Sequence, residues 1–477
     1  MTVSTNPYRG ARIVVTGGGR SGTSAAAVLQ RCGASVQIVD RDPRVLTTSL
    51  AQQGITYAGD LAELPEGVDL VVTSPGWSPR QPLLVDAAGK GVPVVGEVEI
   101  AWMLRDPAVP WLAVTGTNGK TTTVGMLTAM LAAAGRTVAE VGNVGPPVID
   151  AAVDRQTGYD VLSVELSSFQ LHWAPSVRPA SGALLNLAAD HLDWHGSAAA
   201  YAADKARIFN AQGISVYNAD DAGVCAEVAK LPTTARTVGF TLGVPDAGQL
   251  GVDGDELIDR TYAAAGGREV LASVGDVSPP GPHNVANALA AAALARTVGV
   301  SAADVREGLR RYLPGAHRNV LVASERRDGY VVDFVNDSKA TNVHAAAASL
   351  VAYDHVVWIA GGLLKGASVD DVRPLIERAL PFLRGVVLIG RDRGVIADAL
   401  RRHAPEIPLV EVETTDDRAM RTAVDLAHEL ACDAGSRVNA TVTVLLAPAA
   451  ASMDMFADYA QRGDRFAEAA RQVAEDS

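Results

Sequence analysis

Short apolar runs of four or five residues, each closed by glycines or polar residues, recur along this 477-residue chain. Runs of that length read as strands buried on both faces, and the stretches between them carry apolar residues at helical spacing. Residues 13–15, 36–39 and 70–73 predict strands, with an Ala-rich helix ending at Cys32 between the first two. The pattern restarts at 111–114, where a strand leads into Val124, Leu127 and Leu131, at i, i+3 and i+7 of a helix. Strands at 137–141, 160–164 and 183–187 follow, and then a helix over 197–209. Residues 239–277 are rich in Gly, Val and Asp without a helical period and predict irregular β structure, after which a long Ala/Leu helix runs to Val298. A third alternation places strands at 331–335, 356–360, 386–389 and 442–446, each running into small or polar residues. Strands alternating with helices predict an α/β chain, here in three parts: 1–104, 105–314 and 315–477.

Composition agrees with that division. The chain is too long for one core, and with 48% hydrophobic and 20% charged residues it has the material for several. Net charge is −13, from 41 basic and 54 acidic residues, with no Lys/Arg run, which argues against a nucleic-acid partner. Cys32, Cys225 and Cys432 are odd in number and far apart. They build neither a disulfide framework nor a CxxC metal site, and a reducing cytosol is expected. No signal-peptide core and no apolar stretch of membrane-spanning length is present, so a cytoplasmic protein without membrane insertion is expected.

The chemistry concentrates where predicted strands end. Gly116-Thr117-Asn118-Gly119-Lys120-Thr121-Thr122 lies between a strand and a helix. A glycine-rich turn closed by Gly-Lys-Thr cradles phosphates with backbone N–H groups, places the lysine at the β/γ-phosphates and gives the hydroxyl to Mg²⁺. The usual spacing puts its first glycine at 114, where this chain has Val114. Glu165, at the end of a buried strand in the same part, reads as a magnesium ligand. Nearer the N-terminus, Gly17-x-Gly19-x-x-Gly22 with Asp40 after the second strand is a nucleotide fingerprint, in which Asp40 accepts hydrogen bonds from a ribose or a base. Ser74-Pro75-Gly76 turns at the carboxyl end of that sheet. Asn284 and Asn287 share the first turn of a helix. Composition alone reads Lys205 as a solvated helical lysine.

Together, Thr115–Thr122, Glu165–Gln170, Asp190-His191, His283–Asn287, His317-Arg318, the run 336–342 and the stretch 452–463 resemble the Mur ligase family, ATP-dependent amide ligases of peptidoglycan precursor synthesis. That phosphate loop is the family's, which accounts for Val114, and Asn336-Asp337-Ser338-Lys339-Ala340-Thr341-Asn342 looks like the member that adds D-glutamate. The resemblance implies a Rossmann-like N-terminal domain, a phosphate-loop ATPase-like central domain and a doubly wound C-terminal one. It implies ATP, UDP-N-acetylmuramoyl-L-alanine and D-glutamate as small-molecule substrates of a monomer. Lys120, Glu165, His191 and Lys205 would be the catalytic set. Thr121 and Glu165 would hold one Mg²⁺, and His191 and a carbamylated Lys205 a second. Asn284, Asn287, Arg318 and Asp337 would join the loop around ATP. Arg20, Ser21, Asp40, Arg41, Ser74, Gly76, Asn143, Ser168 and His191 would surround the UDP-sugar, and Lys339, Thr341, Lys365, Ser452 and Tyr459 the D-glutamate. Two rivals explain less. A nicotinamide-dependent oxidoreductase leaves Lys120, Glu165 and Lys339 without a role, and a phosphate-loop switch forms no product beyond slow hydrolysis. Within the family, a folylpolyglutamate ligase lacks an N-terminal domain like residues 1–100.

Overall fold

The computed structural model describes residues 7–476 apart from 211, 264–266, 415 and 417, so part of the irregular β reading at 239–277 lies outside the described residues. Three sheets follow one another along the chain. In the first, β1 (Arg12–Thr16), β2 (Ser35–Val39), β3 (Thr56–Gly59), β4 (Leu70–Thr73) and β5 (Val94–Gly96) lie in the order β3-β2-β1-β4-β5, all parallel. The order reverses between β1 and β4, which opens a crevice at their carboxyl ends, where such sheets bind ligands. The turn after β1 needs its glycines, since a Cβ on Gly22 would stand 1.9 Å from the Gly17 carbonyl.

The second sheet holds β6 (Trp111–Thr115), β7 (Val138–Gly142), β8 (Val161–Glu165), β9 (Ser181–Leu184), β10 (Ile214–Asn218), β11 (Arg236–Phe240), β12 (Gln249–Asp253), β13 (Glu256–Asp259) and β14 (Glu269–Ser273). Their order is β14-β13-β12-β11-β10-β9-β6-β8-β7. The strands from β7 to β12 pair in parallel, while β12, β13 and β14 form an antiparallel meander. The segment expected to be irregular is therefore largely ordered into strands; they are short and joined by turns, which hides their period. The strand expected at 183–187 begins two residues earlier, because Ser181 and Gly182 already pair with Leu112 and Ala113.

The third sheet runs β15-β16-β20-β17-β18-β19, built from β15 (Val320–Arg327), β16 (Tyr330–Asn336), β17 (Val356–Gly361), β18 (Leu383–Ile389), β19 (Leu409–Glu411) and β20 (Val442–Leu446). β15 is an antiparallel edge and the rest is parallel. Alternation along β17 sorts its two faces: Val356, Trp358 and Ala360 enter one apolar cluster, Val357 and Ile359 the other. Helices cover both faces, as a parallel sheet buried on two sides requires.

By contact the chain forms two compact units. The first comprises residues 1–276 and 286–312 and carries the first two sheets; the second comprises 277–285 and 313–477. Inside the first unit one apolar cluster runs from Val15 and Ile38 through Ile100 and Trp111 to Leu162, so its two sheets share a core. Among the described residues, no helix is long and apolar enough to cross a membrane.

Candidate active site

Strand β6, buried throughout, delivers the phosphate loop into the helix Lys120–Ala133. Gly119 sits at φ 84°, and a Cβ there would lie 2.3 Å from Asn287 Oδ1, so the loop can close only with glycine. Asn186, unmarked by any sequence pattern, holds the loop from outside. Its carbonyl accepts from Thr117 N at 3.0 Å, its Oδ1 accepts from Asn118 N at 2.8 Å, and its Nδ2 donates to Asn118 O at 3.1 Å. Asn287 Oδ1 accepts from Thr123 Oγ1 at 3.2 Å, one turn into the helix.

Two lysines meet on one carbonyl of this loop. Lys120 Nζ donates to Gly116 O at 2.9 Å and to Thr117 O at 3.0 Å, and Lys205 Nζ donates to the same Gly116 O at 2.8 Å. The solvated reading of Lys205 is wrong: the residue is 2% exposed, because its helix, Ala198–Ala206, buries the face holding Tyr201, Asp204 and Lys205. Burial, with the neighbouring Lys120 charge, pulls its pKa well below the ordinary lysine value, against Asp190 and Glu165, which raise it. A cluster that already carries Lys120 favours a neutral amine at Lys205.

Glu165, the last residue of β8, is buried and accepts from Thr121 Oγ1 at 2.6 Å and from Asn143 Nδ2 at 2.8 Å. Thr121 and Glu165 thus converge as hard oxygen donors, the set that magnesium takes. Among the described residues, no group of three or more His, Cys, Asp or Glu side chains gathers as a metal cage. A metal here would draw on these two side chains and on ligand oxygens, as magnesium at phosphates does. His191 is left-handed at φ 51°, with Nε2 3.6 Å from Asp190 Oδ2 and its ring 4.8 Å from Phe169. Ser168 Oγ pairs with His195 Nε2 at 2.9 Å.

On the first sheet, Asp40 is engaged by main-chain N–H groups, with Oδ2 accepting from Gly18 N at 2.7 Å and Oδ1 from Asp42 N at 2.9 Å. Ser74 Oγ donates to Gly17 O at 3.0 Å. A cleft of about 510 Å³ opens there, lined by Asp40, Arg41, Asp60, Gly76, Trp77 and Gln81. Arg20 and Ser21 begin the helix Arg20–Arg31 after the glycine turn. Trp77 and Gln81 carry no motif and were not singled out by the sequence.

The second unit gathers the other predicted residues at the carboxyl ends of β16, β17 and β20. Reciprocal backbone bonds between Leu363 and Ala451, 2.8 and 2.9 Å, set the loop of Lys365 beside that of Ser452. Lys365 is exposed and left-handed at φ 53°. Lys339 Nζ lies 3.7 Å from the centroid of the Tyr459 ring, and Thr341 N donates to Lys339 O at 2.8 Å. Beneath them Arg462, 1% exposed, donates to Ser338 Oγ, Ser338 O and Ala450 O at 3.0, 2.8 and 3.0 Å. One buried guanidinium therefore ties the loop of Lys339 to that of Ser452, a role that an arginine in an amphipathic helix does not advertise. Asp337 is buried and accepts from Ser349 Oγ; burial pushes it up to about 7, with Ser349 and Arg318 pulling the other way. Asn284 and Asn287 both lie near the start of one helix, Pro282–Thr297, and Asn284 Nδ2 donates to Pro280 O at 3.4 Å.

Comparison with known proteins matches residues 114–295 to the Mur ligase middle domain and residues 11–96 to the Mur ligase MurD-like, N-terminal domain. A UDP-N-acetylmuramoylalanine–D-glutamate ligase of Streptomyces avermitilis is 54% identical over 475 residues, 97% of this chain and 98% of that protein. The ligase of the same name from Thermobifida fusca is 53% identical, over 98% of this chain and 99% of its own. Among solved structures, a pseudomurein peptide ligase type C from Methanothermus fervidus shares the fold, with a TM-score of 0.56 at 18% identity over 97% of this chain and 100% of that one.

Proposed function

The chain belongs to the Mur ligase family, and from that premise we propose how its residues carry out the family's chemistry. It is an ATP-dependent amide ligase that adds D-glutamate to UDP-N-acetylmuramoyl-L-alanine, a step of peptidoglycan precursor synthesis. The observation that carries this is identity above 50% across nearly the whole chain to ligases of that name. ATP phosphorylates the terminal alanine carboxylate, the amine of D-glutamate attacks the acyl phosphate, and phosphate leaves. In this reading, residues 1–104 bind the UDP-sugar, 105–314 ATP and 315–477 the amino acid, in a cytoplasmic monomer.

A carboxylate attacking a triphosphate meets like charge, so the site must neutralise the phosphates before it can do anything else. Lys120, whose Nζ donates to the carbonyls of Gly116 and Thr117, supplies one cation. Thr121 and Glu165 would hold magnesium, which when bound supplies further positive charge at the β/γ-phosphates. Glu165, itself held by Asn143, also fixes Thr121 in place. Lys205 is assigned a carbamate, which would convert a buried amine into an oxygen ligand beside His191; its burial and depressed pKa support that reading. The amino acid is assigned to Lys339, Thr341, Lys365 and Ser452, with Tyr459 as the surface on which the lysine rests.

Phosphate release tests the reaction. Turnover is expected only when ATP, UDP-N-acetylmuramoyl-L-alanine and D-glutamate are present together, and release at full rate without D-glutamate would overturn the ligase reading. Lys339→Ala tests the pocket. A hydrogen bond to a charged group is worth roughly 1.5–3 kcal/mol, or about 10- to 150-fold. The KM for D-glutamate should rise by that factor while the KM for ATP moves far less. Tyr459→Phe, which keeps the ring under Lys339 Nζ, should be nearly neutral. Equal rises in both KM values for Lys339→Ala would assign that lysine to phosphoryl transfer instead.

A further inference from the structure

At the other end of the second sheet from the phosphate loop lies a cavity that no step above uses. It has a volume of about 110 Å³ and sits at the amino ends of β6 and β8, where Trp111 and Leu162 are register partners. Strand β6 leaves the cavity at Trp111 and enters the phosphate loop after Thr115, so cavity and active site lie at opposite ends of one strand. The side walls come from the end of the helix Glu97–Leu104 and from the chain that follows the helix Val148–Ala152. All of these belong to the first unit.

The lining is rich in donors. Arg105 and Arg155 both line it, and among the described residues neither forms an ion pair. Each is anchored on carbonyls: Arg105 Nη1 donates to Trp102 O, and Arg155 donates through Nη1 to Ala152 O and through Nη2 to Leu104 O, both at 3.0 Å. The Arg105 guanidinium carbon also stands 3.4 Å from the centroid of the Trp102 ring, which fixes its place. Burial lowers the pKa of Arg105, and no carboxylate raises it. Trp111, 1% exposed, packs edge-on against Trp102 with centroids 5.0 Å apart, and its Nε1 has no hydrogen-bond partner among the described residues. Buried N–H groups are almost always paired, so one left over in the wall of a cavity calls for an oxygen from outside the chain. The two acids at the rim do not answer these donors. Asp106 Oδ1 accepts from Ala108 N at 2.9 Å, and Asp154 accepts from Gln156 N at 2.8 Å, Thr157 N at 3.2 Å and Thr157 Oγ1.

We propose that this cavity is a binding site for a small organic carboxylate, separate from the substrate and nucleotide sites. A planar carboxylate matches the fork of a guanidinium, and two arginines without an acid of their own keep N–H groups for it. The rest of the wall, including Val109, Ala151 and Leu162, is apolar and suits a short carbon chain better than a hydrated inorganic anion. Size sets the limit. A cavity of about 150 Å³ holds benzene, so 110 Å³ admits about four or five non-hydrogen atoms. Acetate and propionate are of that size, whereas D-glutamate and the nucleotides are larger. None of the residues named here takes part in the ligation steps.

Propionate is the probe, read by the indole N–H signal of Trp111 in the full chain with ¹⁵N-labelled tryptophan and assigned through its loss in Trp111→Phe. That signal should move saturably with millimolar propionate. Propionamide, the same shape without the charge, should leave it in place. Saturating ATP should not displace propionate, because the phosphate loop is at the far end of β6. Arg155→Gln, at an exposed position, should weaken propionate binding about tenfold or more, the worth of a hydrogen bond to a charged group. Its turnover without propionate should match the wild type. Arg105→Gln should weaken binding at least as much. A Trp111 signal that ignores propionate, or moves equally with propionamide, would refute the site and leave a cavity that holds water alone. Tighter binding of inorganic phosphate than of propionate, unchanged binding in Arg155→Gln, or displacement by ATP would each overturn it as well.

Discussion

Lys120→Ala is expected to abolish ADP formation. Lys120 opens the helix Lys120–Ala133 directly after the glycine turn, and its ammonium rests on the carbonyls of Gly116 and Thr117. Those carbonyls are weak, neutral partners that a triphosphate displaces. Removing one preorganised donor from a developing charge costs at least about a hundred- to thousandfold in rate, and a cation on the transferring phosphoryl group stands at the upper end. The loop should survive the change, since Asn186 pins it from outside through Thr117 and Asn118. Lys205 cannot substitute: it donates to the same Gly116 carbonyl from a buried position, where burial disfavours its ammonium even without the Lys120 charge. Single-turnover formation of ADP is the measurement, with nucleotide binding followed in parallel. A variant that binds ATP and still turns over within tenfold of the wild type would remove Lys120 from the chemistry.

What could be read from the sequence was what local chemistry dictates. A strand, a glycine that must be left-handed, a lysine and a threonine define the phosphate loop in one stretch of chain, and Gly119 at φ 84° against Asn287 shows why nothing larger fits there. Glu165 was legible for the same reason, as a carboxylate at the end of a buried strand. The groups that hold these residues were not legible, because their partners arrive from far along the chain. Asn186 follows an ordinary strand, Arg462 sits in a helix with other charged residues, and His195 closes a run already marked by His191. Burial decides their roles, and no spacing encodes it. Lys205 was misread on those grounds: a lysine in an alanine-rich helix looks solvated until the helix is seen to turn that face inward. The antiparallel edge β15 was missed because its residues are mostly exposed or half-buried and it ends in Glu325-Arg326-Arg327, the charged character by which edge strands avoid pairing with other chains.

Lys205→Ala should lose activity as completely as Lys120→Ala, for a different reason, and part of the loss should be recoverable. An amine adds to CO₂ only when neutral: the nitrogen forms a bond to the carbon, a proton leaves, and a carbamate anion results. The site around Lys205 favours that neutral form through burial and through the Lys120 charge. The sign follows from the depressed pKa: at neutral pH more of this amine is uncharged than an ordinary lysine would allow, and the reactive fraction falls as pH drops. As an ammonium, Lys205 would add a second cation within reach of Gly116 O and offer magnesium nothing to bind; as a carbamate it offers the oxygens that metal prefers. Short carboxylic acids added to Lys205→Ala should therefore restore part of the rate by placing a carboxylate where the carbamate stood, while primary amines should not. ¹³C-labelled bicarbonate should give the wild-type protein a carbamate carbon signal that Lys205→Ala lacks, independently of turnover. Wild-type activity in the alanine variant, or rescue by amines in place of acids, would make Lys205 a buried cation that supports the loop and nothing more.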